Sequence, residues 1–488
     1  MIPSHVAFVA DIAKLLADRG HFVTVIDNQL RSDINHRLDP SKINIIEIEP
    51  SEIVKNHLIT SEIPRRFWRM SNTPDEQKDV MERLGKVFLE QCKHLVSQED
   101  NNKNVFRQLE NVEFDFGMHE VFDVCGIGIF EKLKIRKSVI LSSTGMRDIV
   151  SEALGIAGPL WESSILSDYG SSVPWLGVLR NLRFHSAWRN FFQVQSEPLQ
   201  QIFNISEKFE DLLRYSNLLF LNTHELSDYP RNWARRVVEI GGISFKEPKH
   251  LDQEYTELFE NSKFTRKVLI SFGTTTPSFL MPSNCKFSIF KAISKFPDVL
   301  FIWKYEKEDD FVKNFNGKNV IFKKYVPQMD LLASSQISLF ITHGGQNSLL
   351  EALSCQTPLL IVSLFGDQHR NAQLAMENNL ASVLRKEDLA EWGLVETAIR
   401  DGLQGDERIQ SNLKRIAANL RNAKIRAGNR LIGSIEDLFC SEADSPPNFL
   451  VSRRFLFNSD TILGIIHTVL ILMLISIWYL CLRLFRME

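Results

Sequence analysis

Residues 337–351 read ISLFITHGGQNSLLE. The first six are a short apolar, β-branched run, the pattern of a buried strand. The run ends at Gly344-Gly345, two residues that let the backbone turn tightly and pass close to a ligand. A helix is expected from Asn347, a residue suited to N-capping, with Glu351 one turn further along. A helix N-terminus carries unpaired N–H groups and a partial positive charge, so this strand–turn–helix suits a phosphate. His343 adds a donor at the carboxyl end of the strand, where open α/β sheets bind their ligands. An ordinary capped corner looks the same in sequence, so the motif needs support from its surroundings.

The surroundings continue the α/β pattern. Residues 268–272 form a strand pattern ended by Gly273-Thr274-Thr275-Thr276, a helix follows near 283–296, and strands are expected near 299–303 and 319–323. Pro327 opens a short helix, residues 358–362 are a further strand, and two helical stretches near 386–404 and 407–426 close this half. Thr274, Gln328, His343, Asn347, Glu351, Asp367 and Gln368 all fall at strand ends. The carboxyl ends of parallel strands share one rim, so residues this far apart in sequence converge. A P-loop and a GxSxG elbow are absent, and no pair of metal-binding carboxylates stands out. The expectation is an anion site without a metal.

Before this half, Ile240-Gly241-Gly242-Ile243 and the following FKEPKH read as a linker. The first half opens on a helix pattern, VAFVADIAKLLADRG, with Gly20 as its C-cap, then a strand HFVTVID over 21–27 and another over 43–48. Residues 55–110 are polar and helical, with a flexible-looking QEDNNK at 98–103. Residues 113–120, EFDFGMHE, read as a strand followed by a helix, and 138–142 as the next strand. Residues 145–200 form an irregular stretch rich in Trp, Phe, Pro and Gly, which suits the wall of an apolar pocket or loop packing. A doubly wound unit should have a strand before its first helix; here none is seen, nor is a signal peptide, so the first sheet is expected to lack its middle strand.

The chain has 488 residues, enough for two or three domains. Its net charge of −3 gives no pointer to nucleic acid. Its six cysteines are widely scattered, with no CxxC or Cys/His metal spacing and no compact disulfide framework. Residues 461–482, TILGIIHTVLILMLISIWYLCL, contain no Asp, Glu, Lys or Arg, and about 20 apolar residues span a bilayer. Trp478 and Tyr479 lie near one end, as in aromatic belts. The expectation is one transmembrane helix with a short tail over 483–488 and nearly all the protein on one face of a membrane.

Taken together, Tyr325-Val326-Pro327-Gln328, His343-Gly344-Gly345-Gln346-Asn347-Ser348, Glu351, Pro358 and Asp367-Gln368 resemble the signature of the UDP-glycosyltransferases, in particular the membrane-anchored animal UDP-glucuronosyltransferases. Weaker similarity runs through Ser4-His5-Val6, Phe114-Asp115, Ile240–Ile243 and the apolar tail. The resemblance implies a GT-B architecture, two Rossmann-like domains facing across a cleft: an acceptor-binding domain over 1–243, a linker over 244–264, a UDP-sugar-binding domain over 265–440 and a juxtamembrane linker over 441–460. It implies that Tyr325 stacks on uracil, where the family usually has Trp, that Gln328 lies against the nucleoside, and that Glu351 accepts the ribose hydroxyls. Thr274, His343, Asn347 and Ser348 would hold the diphosphate, and Asp367 and Gln368 the sugar hydroxyls. His5 matches the family's general base, and Glu120 the acid that orients it, with His119 and Asp115 as alternatives.

Implied further are inverting transfer of a hexosyl group from a UDP-sugar to a small lipophilic acceptor, no metal or other cofactor, no nucleic acid, and residence in the endoplasmic reticulum membrane with the bulk lumenal. Homo- or hetero-oligomers with related transferases fit the same picture. A catalytically inactive, membrane-tethered nucleotide-sugar-binding protein is the competing expectation. The sugar is left open, because no Arg stands out in the sequence as a carboxylate binder.

Overall fold

The computed structural model describes residues 3–440, apart from 33–37, 60–61, 99–103, 155–162, 172, 226–227, 230–235, 261–262 and 315–316, together with Thr468. The apolar run at 461–482 and the linker at 441–460 lie outside the described residues, save for Thr468. Among those described, no helix is long and apolar enough to cross a membrane.

The first half begins with helix α1 (Pro3–Asp18), whose Phe8, Ile12 and Leu16 are buried at helical spacing, and which closes at Gly20 with φ +91°. Strands β1 (Val23–Asn28) and β2 (Ile43–Ile48) pair in parallel, Val23 with Ile43 through Asn28 with Ile48. Helix α2 (Pro74–Val96) is capped by Thr73, whose side chain accepts from the Glu76 amide. Four more parallel strands follow: β3 (Gly117–Glu120), β4 (Ser138–Ser142), β5 (Leu218–Leu221) and β6 (Val237–Glu239), hydrogen-bonded in that order. Among the described residues no ladder joins β1 to β3, so the sheet is in two pieces. Shared cores hold the pieces together: Ile46 and Ile48 pack with Ile127 and Ile140 on one side, and Val23 with Met118, Val139 and the α1 side chains on the other.

Three sequence expectations change here. The strand expected over 113–120 is only Gly117–Glu120, because the charged residues before it are exposed. The stretch expected to be irregular contains a 26-residue helix, α3 (Val178–Phe203), with Pro198 inside it. Its Phe184, Trp188, Phe191, Phe192, Leu199 and Phe203 fall on one helical face, spaced by three, four or seven residues with Phe191 and Phe192 adjacent, and are buried, so packing outweighs the composition that suggested a loop. α3 lies against α2 so closely that a Cβ at Gly85 would stand 3.0 Å from the Phe191 carbonyl oxygen. The segment read as a linker starts inside the core: Ile240 and Ile243 are fully buried. Cys92 and Cys125 form a disulfide that ties α2 to the Cys125–Lys132 helix, a pairing their 33-residue separation did not reveal.

The second half is a six-stranded parallel sheet of β7 (Arg266–Ser271), β8 (Val299–Lys304), β9 (Val320–Lys323), β10 (Ile337–Thr342), β11 (Leu359–Ile361) and β12 (Ala381–Val383). Its order is β12-β11-β10-β7-β8-β9, so β7 and β10 are the central pair, from which the sheet winds both ways. Helix α4 (Gln346–Ser354) follows β10. A helix absent from the sequence reading, α5 (Ala423–Cys440), ends the described fold. Its Ala427, Leu431, Ile432, Ile435 and Leu438 pack on Phe8, Leu141, Phe220, Ile240 and Ile243 of the first half. The chain therefore returns to the half it started from, and a Cβ on Gly242 would stand 2.8 Å from the Ala423 Cβ.

The halves meet along a cleft with specific ties. Trp68 of the first half sits in the core of the second, and its indole N–H donates to the Pro277 carbonyl at 3.1 Å. Phe67 stacks on Phe365 with ring centres 3.6 Å apart. The buried Lys386 ammonium donates to the carbonyls of Phe67 and Leu364, one from each half.

Candidate active site

The carboxyl ends of β7 and β10 form the switch point of the second sheet, where open α/β folds bind ligands. Gly273 and His343 stand there. The imidazole of His343 occupies space left by two glycines: a Cβ on Gly273 or on Gly345 would lie 2.6 Å from its Nε2. Gly273 and Gly344 have φ of +78° and +79°, backbone that favours glycine. Burial, reinforced by the Lys304 ammonium, pushes the His343 pKa down to about 3, so the ring is neutral. Lys304 ends β8 and donates to the Gly273 carbonyl at 2.5 Å. Sequence reasoning passed over it, although a lysine closing an apolar strand at the ligand-binding rim was the available signal.

Helix α4 opens as expected, but its cap differs. Gly345 is the N-cap, without a side-chain bond, and Asn347 is already inside the first turn. The Asn347 side chain reaches the other half instead: its Oδ1 accepts from Asn222 Nδ2 at 2.8 Å. Gln346 Nε2 donates to the Asn222 carbonyl at 2.9 Å. Further along, Gln328 Nε2 donates to Glu351 Oε2 at 2.7 Å and to Ser348 Oγ at 3.2 Å. Ser348 is thereby turned toward Gln328. Burial raises the Glu351 pKa, and the bond from Gln328 partly offsets this. Tyr325 lies on the rim with two thirds of its surface open, and Thr274 is exposed. Asp367 accepts from Asn371 Nδ2 at 3.0 Å, and the buried Gln368 uses its Oε1 to accept the Leu364 and Phe365 amides, leaving its Nε2 for other partners.

Across the cleft, His5 lies on α1, buried, with its ring edge-on to Phe122 at 4.7 Å. Its Nδ1 is 3.2 Å from Glu120 Oε1. Glu120 also accepts from Ser143 Oγ at 3.0 Å and from the Phe122 amide at 2.8 Å. Burial alone would raise the Glu120 pKa; the His5 charge and hydrogen bond, Arg147 and the Phe122 amide overcome it and hold the acid at about 2. Of the three acids and bases considered from sequence, only Glu120 meets His5. His119 faces Phe130 and Gly126, and Asp115 is exposed.

One cavity of about 390 Å³ lies between these two sets of residues. All the predicted site residues line it except Glu120, which stands behind His5. Its first-half wall is apolar, with Phe67, Met81, Phe88, Phe122 and Trp188 prominent, and two guanidiniums, Arg31 and Arg147, also line it. Among the described residues no group of three or more His, Cys, Asp or Glu side chains is disposed to hold a metal.

The profile of the family described as "UDP-glucoronosyl and UDP-glucosyl transferase" matches residues 1–417. The chain is 56% identical over 464 residues to the Caenorhabditis elegans protein "Putative UDP-glucuronosyltransferase ugt-55", covering 95% of this chain and 89% of that one. It is 26% identical over 451 residues to human UDP-glucuronosyltransferase 3A1, covering 89% and 82%. Among solved structures, Medicago truncatula UGT71G1 complexed with UDP-glucose superposes with a TM-score of 0.59 at 16% identity, covering 89% of this chain and 95% of that one. The calicheamicin glycosyltransferase CalG4 gives 0.57 at 16%, covering 89% and 95%. These likenesses give the fold: two parallel α/β halves in the GT-B arrangement.

Proposed function

Because this chain belongs to the family of UDP-glucuronosyl and UDP-glucosyl transferases and is a glycosyltransferase that draws on a UDP-sugar, we propose that it transfers a hexosyl group, with inversion, to the hydroxyl of a small apolar acceptor bound against its first half. The observation that carries this reading is the 3.2 Å contact of His5 Nδ1 with Glu120 at the wall of the cavity that His343, Asn347 and Asp367 line from the other side. With Nδ1 facing the Glu120 carboxylate, His5 Nε2 is the ring nitrogen that takes the acceptor's proton. The acceptor oxygen bonds to the anomeric carbon as the bond from that carbon to the diphosphate oxygen breaks, and UDP leaves from the opposite face.

In this scheme the first turn of α4 and the neutral His343 donate to the diphosphate as its charge grows, assisted by Thr274 and Ser348. Glu351 and Gln328 take the ribose and nucleoside, Tyr325 stacks on uracil, and Asp367 and Gln368 bind sugar hydroxyls. The steps call on no metal. The aromatic wall around Phe122 and Trp188 suits a lipophilic acceptor. We propose further that residues 461–482 tether the chain to the endoplasmic reticulum membrane with its bulk in the lumen. The Cys92–Cys125 disulfide supports an oxidising compartment.

The test is UDP release by membranes carrying the chain, offered UDP-glucose or UDP-glucuronate with and without a phenolic acceptor. Acceptor-dependent release that His5→Ala abolishes while still binding UDP is expected. Retained transfer in that variant, or loss of its UDP binding, would sink the role of His5. One observation favours the competing reading of an inactive nucleotide-sugar binder: the sheet that backs His5 is in two pieces. That reading predicts UDP binding without acceptor-dependent release.

A further inference from the structure

Arg147 follows β4 and is 2% exposed, so its charge has been taken almost wholly out of water. Its guanidinium carbon lies 4.2 Å from the Phe122 ring centre and 4.8 Å from that of Trp188, which hold the plane in place. Yet Nε and Nη2 have no hydrogen-bond partner. A buried guanidinium normally spends its donors on carboxylates, and an unmade bond to a buried charge is costly. Three carboxylates are near enough to act on it through space: Asp367 most strongly, then Glu120 and Asp148. All three are engaged elsewhere. Glu120 has His5, Ser143 and the Phe122 amide, Asp367 has Asn371, and Asp148 has Ser164 Oγ and the Ile165 amide. Two donors of one planar fork are left free at a residue that lines the cavity, the geometry that matches a carboxylate bidentately.

Two sources bring a carboxylate to this cavity: C6 of a uronosyl donor, or an acid group on the acceptor. Arg147 lines the cavity from the first half and Asp367, assigned above to the sugar, lines it from the second. The unpaired fork and the proposed sugar contacts therefore face one shared volume, the one the transferred hexose fills. Resting on the function proposed above, we propose that Arg147 binds the carboxylate of a uronosyl group on the donor and so sets the preference of this chain for a UDP-uronate over a UDP-hexose. A neutral hexose brings a CH₂OH in place of the carboxylate and leaves the fork unpaired, the situation in which a polar site discriminates strongly.

The full chain in membranes is assayed with UDP-glucuronate and UDP-glucose, with p-cresol and with 4-hydroxybenzoate as acceptors, in the wild type, Arg147→Gln and Arg147→Lys. The ratio of kcat/KM for UDP-glucuronate to that for UDP-glucose should fall about thirtyfold in Arg147→Gln, through KM, and less in Arg147→Lys, which keeps the charge but not the fork. An equal loss with both donors in both variants would make Arg147 a structural counter-charge and overturn the proposal. A loss confined to 4-hydroxybenzoate would move the carboxylate to the acceptor and overturn it as well. So would a wild type that prefers UDP-glucose by a margin Arg147→Gln leaves unchanged. Calorimetric binding of the two donors reads the same contrast without turnover. Tighter UDP-glucuronate binding that Arg147→Gln removes, in a chain that releases no UDP, would uphold this proposal while sinking the catalytic one.

Discussion

Asn222, at the end of β5, and Asn347, in the first turn of α4, share a 2.8 Å hydrogen bond across the cleft. Gln346 closes a second bond onto the Asn222 backbone at 2.9 Å. The turn proposed to hold the diphosphate is thus fixed from the half proposed to hold the acceptor. Removing the Asn222 side chain leaves Asn347 free to rotate away, and one such buried bond is worth about 1–3 kcal/mol. Asn222→Ala should weaken UDP binding by roughly five- to thirtyfold and also lower the melting temperature, because the bond from Asn222 Nδ2 to the buried Ser143 carbonyl is lost as well; calorimetry and a thermal scan read the two effects.

Gly345 makes room for a ring. A methyl group at 2.6 Å from His343 Nε2 cannot coexist with the present rotamer, so the imidazole must swing out of the switch point. Gly345→Ala should therefore cost UDP affinity by about tenfold or more while the circular-dichroism spectrum stays that of the wild type. Unaltered UDP affinity would show that His343 does not hold the diphosphate.

Glu120 links pH to stability. Its folded pKa of about 2 lies below the ordinary glutamate value of about 4.3. The folded state therefore binds this proton more weakly than the unfolded state. The resulting stabilisation is fully present above the ordinary value and is lost as pH falls from there through about 2. It is on the order of 3 kcal/mol. Glu120→Gln should flatten the dependence of melting temperature on pH across that window. A slope identical to wild type would mean that the His5–Glu120 contact carries no charge.

The Cys92–Cys125 bridge joins α2 to the helix after β3, closing a loop of 33 residues. Replacing both by Ala should lower stability by about 2–4 kcal/mol, and a reductant should do the same to the wild type. A double variant as stable as its parent would remove the support for an oxidising compartment.

Five of the six strands of the second sheet were legible in the sequence because they are short and apolar; the edge strand β12 was not. Both ends of β10 in that sheet, and of β4 in the first half, fall where the residue pattern puts them. Most second-half residues that line the cavity were brought together by a related logic: they stand at or just after strand ends, and parallel strands bring their ends together, whereas His5 on α1 came only from the family resemblance. What the sequence hid were relations between distant segments. Nothing near Trp68 says that it enters the other half's core, nothing near Asn222 names Asn347, and the two cysteines carry no spacing signal. Helix α3 was hidden differently, because its Trp and Phe residues read as loop until one knows that α2 lies across them. Arg147 sits in an unremarkable run, SSTGMRDIV, and gains meaning only from being buried beside the cleft with Nε and Nη2 unbonded.

The contact between Gly242 and Ala423 changes what counts as a unit in this molecule. The second half leaves the first at one point and rejoins it at the same point, with α5 completing the core begun by α1. Topologically the second-half sheet is a guest inserted into a host whose two ends stay together. Cutting the chain at 244–264 would not release two modules; it would strip the host of its last helix and leave Leu431 and Ile435 without cover. Excision of roughly 246–421, with a short splice across the meeting point, is the division the architecture permits. Any opening of the cleft is correspondingly a swing of the guest on two adjacent strands of chain.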